Sequence, residues 1–194
     1  MSLTKLGSSI VMHQYGGPEV LKVERAPLTA LEPGEIRIQA IASAINHSDL
    51  EIRSGNWPIL KPDPFPYTPG LEVVGDVVEV GVGVQNLHSG DRVIAMMQGL
   101  GGVHARRPGG YAEYVTVRAN TVAALDGDLA PLDMAAVGLA GVTAFEGLRK
   151  LGTFKDRRIA TTGAAGGVGS AAVALARAEG AEVIAVISRF EHAQ

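Results

Sequence analysis

The sequence predicts an α/β protein in which a β-rich domain precedes a parallel strand–helix–strand unit. Three observations predict it. Ser8 to about Leu125 holds many short β-branched or alternating runs separated by Gly and Pro turn signals, the pattern of a small barrel or sandwich. From Pro131 the chain becomes alanine-rich and helical. Arg158 to Ile187 then reads as strand, glycine turn, helix, strand. The boundary is expected near Leu125 to Pro131, dividing the chain into residues 1–126 and 127–194.

Taken in order, Ser8 to Gln14 and Leu21 to Glu24 alternate like a short antiparallel pair, joined by Gly16-Gly17-Pro18. Gly34-Glu35 opens a strand in which Ile36, Ile38, Ala40 and Ile41 alternate with polar Arg37 and Gln39. Asn46-His47-Ser48-Asp49 reads as a helix start, with Leu50 to Arg53 supplying one or two turns. Gly55 to Pro69 is expected to be a proline-rich, functional loop containing Trp57 and Tyr67. Val73 to Val80 is dense in valine. Gly90-Asp91-Arg92 turns into a strand over Val93 to Met97. Gln98 to Gly110 is glycine-rich and expected to be a mobile loop. Tyr111 to Val117 holds one or two more strands. Met134 to Phe145 is helical, with Arg149-Lys150 suited to the helix C-terminus and Gly152 to its cap.

The stretch Gly163-Ala164-Ala165-Gly166-Gly167-Val168-Gly169 carries the chemistry. It fits G-x-G-x-x-G with Ala164 in place of the first glycine. A pyrophosphate must approach main-chain N–H groups closely, and a helix N-terminus offers unpaired donors and a positive dipole end. Gly166 would admit the phosphates, Gly169 would let the helix pack on the strand, and Gly163 and Gly167 add freedom. A nucleotide-triphosphate loop of the Walker type would need a lysine after its last glycine; Val168-Gly169-Ser170 has none. A membrane span is opposed by the Gly, Ser and Thr content and by Arg158 and Arg177 at its ends. The residue that chooses the dinucleotide should stand about 20 positions on. Ser188-Arg189 stands there, and Val183 to Phe190 holds no acid. A hydroxyl and a guanidinium suit a 2′-phosphate, so NADP(H) is expected over NAD.

A formal charge of −3 argues against a nucleic-acid surface. Cysteine is absent, which removes disulfides, thiolate ligands and a cysteine nucleophile. The start of the sequence lacks the apolar core of a signal peptide, so a cytoplasmic protein with no membrane partner is expected.

Several motifs then accumulate in one order: Tyr15-Gly16-Gly17-Pro18-Glu19-Val20-Leu21, Ile52-Arg53-Ser54-Gly55, Pro66-Tyr67-Thr68-Pro69-Gly70, Gly90-Asp91-Arg92-Val93, Gly109-Gly110-Tyr111-Ala112-Glu113-Tyr114, Thr143-Ala144 and Gly163 to Gly169. With them the chain resembles the medium-chain dehydrogenase/reductase superfamily, and within it the zinc-free quinone oxidoreductases of the ζ-crystallin group. The resemblance implies a GroES-like β-barrel catalytic domain, then a Rossmann domain, and a homodimer or tetramer. Zinc-dependent relatives carry Cys where this chain has Asn46, and His-Glu where it has Leu71-Glu72. Neither that site nor the family's four-cysteine site can form, so no zinc is expected.

The resemblance implies hydride transfer from NADPH to a quinone or α,β-unsaturated carbonyl. Asn46 would donate to the substrate oxygen as negative charge collects there, or else caps its helix. Trp57 stands where many relatives have Tyr; it would stack on a flat substrate or pack under its loop, and it cannot pass a proton as a phenol does. Thr143 resembles a residue near the nicotinamide, or packs within its helix. Arg53, Ser48 and Tyr67 read as structural. Enoyl-thioester reduction, zinc-free alcohol oxidation and a non-catalytic NADPH-binding role are the rival readings. Only two of the six strands of a complete Rossmann domain are visible, so a fragment of a longer protein, weakly active or inactive alone, is expected.

Overall fold

The computed structural model describes residues 5–57, 65–97, 108–125, 127 and 129–189. The expected loops over Gly55–Pro69 and Gln98–Gly110 lie partly outside them. The chain divides into two compact units, Met1–Ala136 and Val137–Gln194.

In the first unit, β1 (Leu6–Val11) pairs antiparallel with β2 (Lys22–Pro27), with Leu6 opposite Pro27 and Val11 opposite Lys22. The principal sheet has five antiparallel strands in the order β6-β3-β4-β5-β7. They are β3 (Glu35–Ala42), β4 (Glu72–Val80), β5 (Arg92–Met96), β6 (Tyr114–Arg118) and β7 (Val122–Ala124). Ile36, Ile38, Val73, Val77, Val93, Ala95, Met97, Val115 and Val117 form its core. Burying side chains of this size removes about 1.5–3 kcal/mol of apolar exposure each. Two side chains of β3 depart from simple alternation. Arg37 is only 4% exposed, donating to the Thr29 carbonyl at 2.5 Å and pairing with Glu79 at 3.3 Å, whereas Ile41 is 46% exposed. Register shifts after Arg37 and Ala40 break the period of two.

The helix α1 (His47–Ser54) begins at Asn46 and ends at Gly55, whose left-handed φ of 75° a side chain would disfavour. A Cβ on Gly55 would also stand 2.9 Å from the Tyr15 ring. Arg53 Nε donates to the Gly16 carbonyl at 3.2 Å, and Gly16 N–H returns a bond to Arg53 O at 3.1 Å. The Tyr15–Leu21 and Ile52–Gly55 motifs are therefore two sides of one turn-to-helix joint, which accounts for Arg53 structurally.

The helix α2 (Pro131–Leu151) carries Arg149 and Lys150 in its last turn, with Gly152 following at φ 73°. In the second unit β8 (Arg158–Thr162) and β9 (Glu182–Val186) pair parallel, Arg158 opposite Glu182, around α3 (Gly167–Ala178). Leu148, Phe154 and Ala176 form its buried centre, with Ile159, Leu175 and Val183 against them. Among the described residues, no helix is long and apolar enough to cross a membrane.

Candidate functional site

The glycine turn is built as the sequence reading expects. β8 ends at Thr162, Gly163 adopts φ 64°, and α3 starts with Gly166 as its N-cap. Ala164 N–H donates to Val186 O at 3.1 Å, tying the turn to the end of β9. Ser170 is the first helical residue to donate back, to Gly166 O at 2.8 Å. The N–H groups of Gly167, Val168 and Gly169 precede it and have no intrahelical acceptor, the donor set an anion needs. A Cβ on Gly166 would meet only Gly163 O, at 3.4 Å, so its surroundings are open. Gly169 is different: a Cβ there would lie 2.1 Å from Gly163 O and 2.9 Å from Ala164 Cα. Its small size lets the helix close on the turn itself, rather than on the strand as expected. Ala165 and Val168 are exposed, and Ala164 is buried. Ser188 and Arg189 follow β9 and are exposed. Thr143 is exposed on α2 and donates its hydroxyl to Leu139 O at 2.7 Å, so its proton is used within its own helix. These residues suit a phosphorylated dinucleotide: open amides, little side-chain bulk and an exposed guanidinium.

In the first unit Asn46 caps α1. Its N–H donates to Asp49 Oδ2 at 2.9 Å, and Asp49 N–H donates to Asn46 O at 3.0 Å, as in a capping box. The Asn46 side-chain NH2 also donates to Glu72 Oε1 at 3.0 Å. The Asn46 amide is thus shared: Glu72 takes one hydrogen and Asp49 also accepts from it, so a donor role would require the hydrogen on Asp49 to turn to the substrate. Trp57 is half-buried, and its main-chain N–H donates to Glu51 O at 3.1 Å just past the end of α1.

Behind Asn46 lies a polar cluster that the sequence reading assigned no role. Asp49 is 4% exposed, Glu72 0% and Tyr67 2%. Burial raises the Asp49 carboxyl above its usual value, partly offset by hydrogen bonds from the Asn46 main chain, Tyr111 and the Asn46 amide. Burial, then the Asp49 charge, push the Tyr67 and Tyr111 phenols upward. The single Tyr111 hydroxyl proton is offered between Asp49 and Ala44 O, the latter 3.0 Å away. The sequence signal for Glu72 was an acid embedded in Leu71 and Val73-Val74, a position that demands a partner.

Leu71 is 1% exposed and packs as a core residue where zinc-dependent relatives have His. His47 is 85% exposed on its side chain and lies 3.6 Å from Glu51, while Glu72 is buried. Among the described residues, no three His, Asp or Glu gather as a metal site would require.

Residues 32–127 match the alcohol dehydrogenase GroES-like domain. The chloroplast envelope quinone oxidoreductase homolog of Arabidopsis thaliana is 34% identical over 188 residues, covering 93% of this chain and 55% of that protein. The structure of the quinone oxidoreductase from Coxiella burnetii superposes with a TM-score of 0.86 at 30% identity, covering 97% of this chain and 59% of that one. A mycobacterial protein solved in complex with NADPH superposes at 0.75 and 31% identity, covering 96% of this chain and 54% of that one. The chain spans about half the length of the curated relatives it matches. Its β-rich sheet is a GroES-like domain and the strand–helix unit that follows is the start of a Rossmann-like fold. The chain belongs to the medium-chain dehydrogenase/reductase superfamily, with quinone oxidoreductases among its relatives.

Proposed function

We propose that the protein is a zinc-independent oxidoreductase that transfers hydride from NADPH to a quinone or an α,β-unsaturated carbonyl. The observation that carries this reading is the open N-terminus of α3, with Ser188-Arg189 following β9 in place of an acid. Gly167, Val168 and Gly169 hold the pyrophosphate by main-chain N–H groups, Gly166 leaves room for its approach, and Gly163, Ala164 and Ala165 shape the turn. Ser188 and Arg189 take the 2′-phosphate. Thr143 retains its hydroxyl oxygen as an acceptor toward the nicotinamide. When bound, the nicotinamide supplies the hydride. Asn46 turns the amide hydrogen not held by Glu72 away from Asp49 and toward the substrate oxygen as charge develops there, worth about 10²–10³ in rate for donors of this kind. Trp57 stacks on the flat substrate and passes no proton, so water supplies the proton that completes reduction. Leu71 and the absence of cysteine leave no zinc ligand set, so activity does not depend on the metal. A homodimer or tetramer in the cytoplasm fits this family reading.

The test titrates NADPH and NADH by fluorescence, then adds quinones and enones to the protein at its native length. Tighter NADPH binding and turnover unaffected by chelators support the reading. No binding of either dinucleotide refutes it, and binding without turnover on any acceptor gives a non-catalytic dinucleotide-binding protein instead.

A further inference from the structure

We propose that Glu72 is the positioning residue that sets which way the Asn46 amide faces, an inference that rests on Asn46 being the donor to the substrate oxygen. Glu72 opens β4 opposite Met96 and is 0% exposed. Its main chain is held on two sides. The Ser43 hydroxyl donates to the Glu72 carbonyl, and Gly110 approaches the same carbonyl so closely that a Cβ would stand 2.1 Å away. The carboxylate is therefore delivered to Asn46 by a backbone that has little room to shift. Its Oε1 accepts from Asn46 Nδ2 at 3.0 Å across 26 residues of sequence.

An asparagine amide is a donor at one end and an acceptor at the other, with nearly the same shape either way. A carboxylate accepts only, so it admits the NH2 end and opposes the carbonyl end, which would set two acceptors face to face. One amide hydrogen is thereby held inward, and the nitrogen carrying the second keeps its position. Glutamine at 72 would keep the size and a hydrogen bond, but its own amide satisfies Asn46 in either orientation. Acceptor-only chemistry, rather than packing, enforces the direction.

The test compares the native-length protein with Glu72→Gln. In E72Q, kcat for quinone reduction is expected to fall about tenfold or more, the scale of a misplaced oxyanion donor. NADPH affinity should stay within about twofold, because a positioning role on the substrate side leaves cofactor binding alone. A second measurement reads the wild-type protein, with N46S serving only for assignment. In the wild-type protein, one of the two side-chain amide protons of Asn46, assigned by their loss in N46S, should lie downfield of the usual Asn range and exchange more slowly than those of exposed Asn side chains. Asn46 amide protons with ordinary shifts and fast exchange, or an E72Q protein with unchanged kcat, would overturn the proposal. Absence of any wild-type turnover would sink the functional reading instead, and the amide protons would still decide the Glu72–Asn46 contact.

Discussion

Two glycines three residues apart should separate folding from cofactor binding. At Gly169 an added methyl would lie 2.1 Å from Gly163 O, 2.7 Å from Gly163 C and 2.9 Å from Ala164 Cα. All three are backbone atoms, and ordinary contacts lie near 3.5–4.0 Å, so the turn must move by roughly 1 Å. Overpacking of this kind costs about 1–3 kcal/mol. Alanine's better helix propensity returns at most about 1 kcal/mol. Gly169→Ala should therefore destabilise by about 1–2 kcal/mol, roughly 2–8 °C in Tm for a chain of this size. It should also displace the amides that face the phosphates, weakening NADPH binding by about tenfold or more, at 1.4 kcal/mol per tenfold. At Gly166, φ −84° and ψ 167° suit any residue and the methyl would meet only an oxygen at 3.4 Å. Gly166→Ala should cost about 0.5–1 kcal/mol as an N-cap change, yet weaken NADPH comparably by standing in the phosphate approach. Differential scanning fluorimetry and NADPH fluorescence titration read both. If Gly169→Ala melted with the wild type and bound NADPH equally well, the close-approach reasoning would be wrong.

The remaining predictions concern three other positions and the metal. Gly110→Ala would place a Cβ 2.1 Å from Glu72 O, so its melting temperature should fall by several degrees, read by differential scanning fluorimetry. Arg189→Ala should reduce the NADPH-over-NADH preference by roughly tenfold to a hundredfold, the worth of one charge-assisted hydrogen bond, read by paired titrations. Burial raises Asp49 above 3.8, so its proton favours the folded state and the stability it brings is present at low pH and lost as pH rises through the raised value. The stability difference between Asp49→Asn, uncharged throughout, and wild type should move in favour of the variant as pH rises from about 4 to about 7, measured by denaturant titration at both. Dialysis against a chelator should leave turnover unchanged, with substoichiometric zinc by elemental analysis; stoichiometric zinc with lost activity would reverse that expectation.

Much of the fold was legible because its signals are local. The alternation of β1 and β2, the valine run of β4 and the helix ends at Gly55 and Gly152 each need only neighbours in sequence to be read. The three residues of β7 are too few for a period to show, and the strand exists because Val122–Ala124 finds β5 as its partner. Arg37 looked like a solvent-facing residue between two isoleucines, yet its guanidinium is 4% exposed because Thr29 and Glu79 meet it. The structure supplied the joint between Gly16 and Arg53, 37 positions apart, and the pairing of Asn46 with Glu72, 26 apart.

Residue order alone determined the chemistry available: small residues where a strand enters a helix, a hydroxyl and a guanidinium after the second parallel strand, and no thiol or histidine set for zinc. These follow from side-chain size and functional group, which are properties of single positions. Tertiary structure decided which of these groups work together. Only packing shows that Gly169 closes on Gly163 while Gly166 stays open, and that Asn46 is held by a buried carboxylate. Distance through space, not separation along the chain, sets both contact and burial, and no one-dimensional pattern encodes it.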